Sequence, residues 1–431
     1  MPLSAQRLVT RREAIETALA ASPRVALARA DSAAARARAL TSRAYPNPSI
    51  SPSYSKATPQ GHLVFDVPLE SPRLRGARIG AARASMRAAR LQFLSERAAA
   101  VVEVDTTYTR ALAAEARFRF SRQTAQEADS LRRMTISQRN AGDASDLDVD
   151  LASITAGQQS NTASADSLSY MSALLTVQTL MGLSPDTVII VLADTLRLTP
   201  LDTAATPPNG GDVLTTTPIA LGIPSALNFS PSPVSTPAPT PGLPPAVGRI
   251  PAPGLTPSIA AAEASVQAAE LSVLRERRNV FAWPALSFGV EFHDPTGSEN
   301  GILPLVGLAL PLPIFNRNQG PIAEAEAERR RARAQLATVR LEARQRLVEG
   351  LREREALRVQ IRRDLALIGS AQRVATRSLT AYREGASALP AVLEARRSAR
   401  EVLGQYIEDV AALLTVNTEL RALTQTVSPA P

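Results

Sequence analysis

The chain has 431 residues, 45% of them hydrophobic and 4% aromatic, a formal net charge of +8, no cysteine and two histidines. So few aromatics argue against several large globular cores, while the missing cysteines remove disulfides, thiolate metal sites and cysteine nucleophiles. With two histidines a zinc site or a histidine base is not expected, so neither metal nor cofactor is assigned.

Residues 1–10 form an N-terminal segment. Met1 to Arg12 lacks the apolar core of a secretory signal, so an export signal is absent from this sequence. A first repeat, 11–195, opens with a helix from about Arg11 to Ala44. A β-hairpin over 48–69 follows, its strands marked by Ile50 and Tyr54 and by the alternating Leu63, Phe65 and Val67, with a turn at Thr58 to Gly61. Next comes a helical hairpin over 76–182. Its first helix, about Gly76 to Asn140, keeps apolar positions three and four apart (Leu91, Leu94, Ala98, Val101, Tyr108, Leu112), interrupted by Asp105. Gly142 ends it, and the returning helix carries Leu147, Leu151, Ile154, Leu168 and Leu175.

Residues 196–256 are a connector rich in proline, serine and threonine, which cannot pack a core and reads as largely disordered or as an equatorial segment around the helices. A second repeat, 257–426, restates the order: a helix from Pro257 to about Phe281, a β-hairpin over 284–314 and a helical hairpin over 319–426. In its first strand Leu286, Phe288, Val290 and Phe292 alternate with Ser287, Gly289, Glu291 and His293. After the polar turn Asp294 to Gly301, the next strand alternates Val306, Leu308 and Leu310 with Gly307, Ala309 and Pro311. The helix from Gln319 to Glu384 ends at Gly385, and the return carries Leu389, Val392, Ala399, Val402, Tyr406, Leu413, Leu420 and Leu423. Residues 427–431 are a tail.

The two halves are a duplication. Leu63, Phe65, Val67, Ile79 and Gly142 align with Val306, Leu308, Leu310, Ile322 and Gly385 at a constant offset of 243. At about 1.5 Å per residue each long helix would reach roughly 100 Å, too long for a compact domain. Arginine and acid alternate along them, as from Glu324 to Arg331, and Lys56 is the only lysine. Mixed signs describe solvated helix faces rather than a phosphate-binding stripe, so nucleic acid is not expected as a partner. No stretch reaches the about 18 continuous apolar residues of a membrane helix. The strands do alternate as barrel strands would, yet four cannot close a barrel, so in a membrane other copies of the chain must complete it.

The repeated order of helix, β-hairpin and very long helical hairpin resembles the TolC-like outer membrane efflux proteins, and among them most the heavy-metal and drug efflux branch. So do Tyr45-Pro46-Asn47-Pro48-Ser49, Leu310-Pro311-Leu312-Pro313-Ile314-Phe315-Asn316-Arg317 and Tyr382-Arg383-Glu384-Gly385-Ala386-Ser387. The resemblance implies a mainly α fold with β. In it, two β-hairpins per chain contribute to a trimeric twelve-stranded transmembrane β-barrel, continued by a long α-helical barrel of coiled-coil hairpins. It implies a passive exit duct of a tripartite efflux system, not an enzyme, exporting small molecules or metal ions from periplasm to exterior. The duct would sit in the outer membrane of a Gram-negative-type bacterium and extend into the periplasm. Its partners would be outer membrane lipid, a periplasmic adaptor and an inner membrane pump.

Lipid-facing candidates are then Leu63, Phe65, Val67, Leu286, Phe288, Val290, Phe292, Val306, Leu308 and Leu310. The family's closed entrance and adaptor contacts would fall at the hairpin tips. Gly142, Leu147, Gly385, Ser387 and Leu389 are the docking candidates, and Asp143, Asp146, Asp148 and Asp150 could form acidic gating rings. The alternative is that Asp143 to Asp146 merely cap the returning helix, where carboxylates suit its N-terminal dipole. The Asp-x-Asp-x-Asp run lacks the remaining ligand pattern of a calcium loop, and His62 and His293 read as surface residues. The competing function is a soluble coiled-coil scaffold with a Pro-rich interaction arm.

Overall fold

Thr10 caps the first helix, its side chain accepting the Glu13 backbone N–H at 3.2 Å. In this computed structural model, which describes residues 6–54, 56, 60–184, 189–197, 256–280, 284–292, 302–310 and 312–424, the expected helix over 11–44 is two. They are α1 (Arg11–Ala21) and α2 (Pro23–Thr41), broken at Ser22, whose backbone is extended. The break is local chemistry: proline drives the residue before it out of the helical region, and Pro23 then starts the next helix where its missing N–H costs nothing.

The remaining elements, in chain order, are β2 (Ser49–Tyr54), β3 (Gly61–Pro68), α3 (Pro72–Ala141), α4 (Asp146–Leu180), β4 (Ile189–Leu192) and α5 (Pro257–Arg278). After these come β5 (Ala285–Phe292), β6 (Leu303–Ala309), α6 (Gln319–Arg383) and α7 (Leu389–Thr424). The two long helices have 70 and 65 residues. Among the described residues no helix is long and apolar enough to cross a membrane. Nearly all of the connector, the turn at 294–301, His293, Pro311 and the tail lie outside the described residues.

Two units form from interleaved stretches of chain. The first draws on residues 1–26, 97–256 and 343–426. Its main core gathers Tyr108 and Leu112 from α3, Val177 from α4, Met181 at the end of α4, and Val410 and Leu413 from α7. Two short strands seal it that sequence periodicity does not reveal: β1 (Gln6–Val9), within the expected N-terminal segment, pairs in parallel with β4. Val9, Ile190 and Leu192 bury their side chains there. Strands of four residues are too short to show a period, and their partners are far apart in sequence. Asp105, which interrupts the apolar rhythm of α3, accepts from the Arg11 guanidinium and from the Thr418 hydroxyl, both at 2.8 Å. It thereby ties α1 and α7 to α3. Smaller clusters form around Leu131, Ala152, Tyr382, Leu389 and Val392, and around Leu347, Val416 and Leu420.

The second unit draws on residues 27–96 and 257–342. Its helices pack through small residues, among them Ala35, Ala39, Ala77, Ala81, Ala264 and Ala325, all buried. Arg277, Arg333 and Arg340 pair with Glu326, Glu270 and Glu263 at 2.6 to 2.7 Å, laddering α5 to α6. All six are substantially exposed, so the ladder sets register more than it adds stability. The two expected β-hairpins are present but fused: β3 pairs with β5, giving one antiparallel sheet in the order β2-β3-β5-β6. The strands have six to eight residues. One chain thus forms an open four-stranded sheet with β2 and β6 as free edges, not a closed barrel.

Candidate functional site

The pairing register sorts the sheet into two chemically distinct faces, because directly opposed residues share a face. Leu63 opposes Val290 and Pro52; Phe65 opposes Phe288 and Ile50; Val67 opposes Leu286; Phe292 opposes Gly61. Across β5 and β6, Phe288 meets Val306 and Leu286 meets Leu308. All nine strand candidates that lie within β3, β5 and β6 therefore stand on one apolar face, joined by Ile50 and Tyr54, which sequence reading used only to mark the strand. Leu310 follows the end of β6 and is 60% exposed. The face is uncovered in the single chain: Ile50 is 65% exposed, Val306 72% and Leu308 66%.

The opposite face carries Ser49, Ser51, Ser53, His62, Asp66, Ser287, Gly289, Glu291 and Gly307, with Val64, Leu303 and Leu305 as its large apolar members. There the Ser287 hydroxyl donates to Asp66, and His62 Nδ1 lies 3.4 Å from Glu291. Glycine at 289 is required by packing. A Cβ there would stand 2.9 Å from the Leu63 carbonyl oxygen.

In the other unit, both helical hairpins turn by the same device. Gly142 and Gly385 adopt positive φ (88° and 72°). The backbone N–H of Asp143 reaches Gln138 O at 2.8 Å, and that of Ala386 reaches Ala381 O at 2.8 Å. These bonds close each helix end in a Schellman turn, which needs a residue without a Cβ.

The acids at the first tip separate into different roles. Asp148 is the partner of a capping box: Ser145 Oγ accepts from its N–H at 3.1 Å, while its carboxylate accepts from the Ser145 N–H at 3.1 Å. Asp146 is ion-paired to Arg139 at 2.8 Å. Asp143 and Asp150 are exposed. Replacing Ser145 by Ala is expected to cost about 1 kcal/mol of helix stability, read as a lowered thermal midpoint of the purified chain.

Leu147 is 66% exposed and Ser387 half-buried. Leu389, expected to offer itself to an adaptor, is instead 1% exposed, packed with Leu131, Tyr382 and Val392. As the first residue of α7 it sits where the helix meets α3, so its apolar side chain goes to the core. Sequence reading also missed an open groove of about 1220 Å³ between α3 and α4, lined by Arg122, Arg133, Ser153, Ala156, Gly157 and Ser160. Its signal was present in the run of Ser, Ala and Gly along α4. Among the described residues no cluster of His, Asp or Glu is arranged to hold a metal.

The family model described as outer membrane efflux protein matches residues 14–183. No curated protein matches the chain. Among solved structures, the outer membrane protein VceC of Vibrio cholerae is similar with a TM-score of 0.71 at 16% identity, over 96% of each chain. A membrane protein of Pseudomonas aeruginosa gives 0.69 at 20% identity, over 96% of this chain and 93% of its own. The Campylobacter jejuni CmeC outer membrane channel gives 0.70 at 12% identity, over 96% and 85%. Identities this low speak for the fold alone. Residues 14–183 thus carry the pattern of the outer membrane efflux protein family, and the chain as a whole has the fold of the TolC-like outer membrane channels.

Proposed function

We propose that the chain is the outer membrane duct of a tripartite efflux system, a passive path for small molecules or metal ions rather than an enzyme. The observation that carries the reading is the two-faced sheet: one face apolar and uncovered, the other largely small and polar, with both edges open. Lipid suits the first face and water the second. Open edges are not tolerated in hydrocarbon, so a second and third copy close them, giving twelve strands in a homotrimer. The family pattern and the fold of the outer membrane channels support the same reading.

The hairpin tips are the proposed periplasmic entrance. Gly142, Leu147, Gly385 and Ser387 would meet an adaptor, together with the α3–α4 groove, whose small residues allow a partner helix to approach closely. With Asp148 engaged in its cap, Asp143 and Asp150 are the acids best placed to form cation-favouring rings at the mouth, and Asp146 contributes when released from Arg139.

The test is to express the chain behind a working signal sequence, recover it from outer membranes in mild detergent, and measure its mass and its conductance in planar bilayers. Trimers that conduct support the duct. A water-soluble monomer without conductance rejects it in favour of the scaffold. In conducting trimers, the double variant D143N/D150N is expected to lower cation selectivity, seen as a reversal potential closer to zero in a salt gradient.

A further inference from the structure

The four chain segments that link helix to strand lie at one end of the sheet. Ser49, which opens β2, opposes Asp66 near the end of β3; Pro68, which ends β3, opposes Ala285, which opens β5; Ala285 in turn opposes Ala309, which ends β6. The segments are also bound to one another. Arg75 and Arg78 of α3 donate to the Arg43 and Ala44 carbonyls, both at 3.1 Å, and Arg278 at the end of α5 donates to the Arg73 carbonyl at 3.0 Å. The Asn318 amide donates to the Glu276 carbonyl at 2.7 Å, which ties the segment after β6 to the end of α5.

Most of the chain's excess positive charge sits in this band. Residues 42–48, 69–80, 274–285 and 310–323 contain eight arginines and two acids, a net +6 of the +8 for the whole chain. The turns that join the strands, 55–60 and 293–302, contain one lysine and two acids. Both acids of the band are used internally: Glu70 is held by Arg78 at 2.6 Å and Glu276 by Arg275 at 2.5 Å. Arg43, Arg73, Arg278 and Arg317, one in each segment, are exposed and have no carboxylate partner among the described residues. Among them stand the exposed apolar side chains Tyr45, Leu69, Leu312, Ile314 and Phe315, the last 93% exposed. The Arg75 guanidinium lies 4.1 Å from the centre of the Tyr45 ring and fixes it at this level.

Exposed cations beside exposed aromatic and aliphatic side chains match the boundary of a bilayer, where acyl chains give way to phosphate. A guanidinium engages two phosphate oxygens at once and gains from the negative potential of an anionic leaflet. We propose that this band is a collar that binds anionic phospholipid headgroups, with Arg43, Arg73, Arg278 and Arg317 as the contacts on each chain. The inference rests on the duct reading, in which the apolar face of the sheet enters lipid and the band marks the leaflet on the helix side.

The experiment takes the full chain as trimers in mild detergent, titrates them with phosphatidylglycerol or phosphatidylcholine, and counts bound lipid by native mass spectrometry. Phosphatidylglycerol is expected to be held roughly tenfold or more tightly than phosphatidylcholine, less so as salt rises. R43Q, R73Q and R317Q each remove a charge from a side chain that donates no hydrogen bond among the described residues. Each is expected to weaken phosphatidylglycerol retention by about fivefold, with trimer yield and phosphatidylcholine retention unchanged. Equal retention of the two lipids by the wild type, or full retention of phosphatidylglycerol in all three variants, overturns the collar while a conducting trimer leaves the duct standing. Displacement of the lipid by millimolar inorganic phosphate assigns the arginines to free phosphate and overturns it too. If no trimer is recovered, the duct reading fails and the collar with it.

Discussion

Replacing Phe288 by Arg is expected to abolish the assembled membrane form. Phe288 is central on the apolar face, between Phe65 of β3 and Val306 of β6, and is 44% exposed in the single chain. An arginine on the lipid face of a barrel costs about 2 to 4 kcal/mol near the membrane midplane. The proposed trimer would carry the change three times, so about 6 to 12 kcal/mol would oppose assembly. The matching control is Ser51→Arg, on the polar face of β2 and exposed. On the proposed duct the new charge points away from lipid, and the trimer yield should stay near wild type. The readout is the fraction of chain recovered as trimer from outer membranes. Equal loss in both variants, or no loss in either, would reject the assignment of faces; a soluble scaffold predicts the second pattern.

Tyr108→Ala is expected to be the most damaging single truncation in the helical unit, at about 3 to 5 kcal/mol for a fully buried aromatic. The ring is 0% exposed, at the junction of α1, α3 and the β1–β4 pair. Its hydroxyl lies 2.9 Å from both Val9 O and Asp194 Oδ2 and can donate to one at a time. Asp194 also receives the Arg11 backbone N–H at 2.8 Å, and the Arg11 guanidinium stands 5.7 Å from the ring centre. Tyr108→Phe keeps the packing and removes only the hydroxyl, so about 1 to 3 kcal/mol is expected. Denaturant unfolding of the two variants separates the contributions. Burial, first, and the hydrogen bond to Asp194 push the phenol pKa up. The raised value favours the folded state while the phenol keeps its proton. That stability is therefore present below the ordinary tyrosine pKa of about 10 and lost only in stronger alkali.

Much of this protein is legible in its sequence because the relevant physics is local. The alternation of Leu286, Phe288, Val290 and Phe292 against Ser287, Gly289 and Glu291 follows from the two-residue period of a strand, and the faces came out as read. Gly142 and Gly385 mark the hairpin ends because a positive φ favours glycine, and both have it. The break at Ser22 was equally legible in Pro23 and was overlooked, since the apolar and alanine pattern runs across it. The capping of α4 was visible in the Ser145-x-x-Asp148 spacing, but not which acid would be taken by the cap.

Tertiary structure alone decided the rest. Nothing in β3 or β5 by itself says that the two hairpins join through them, since backbone pairing carries little residue identity; the pairing of Phe65 with Phe288 became visible only in the fold. The strands β1 and β4 are too short to show periodicity and are defined by the core they cover. Leu389 and Leu147 look alike as apolar residues just past a tip glycine, yet one is buried and the other exposed. The difference lies in whether a neighbouring helix passes over the residue.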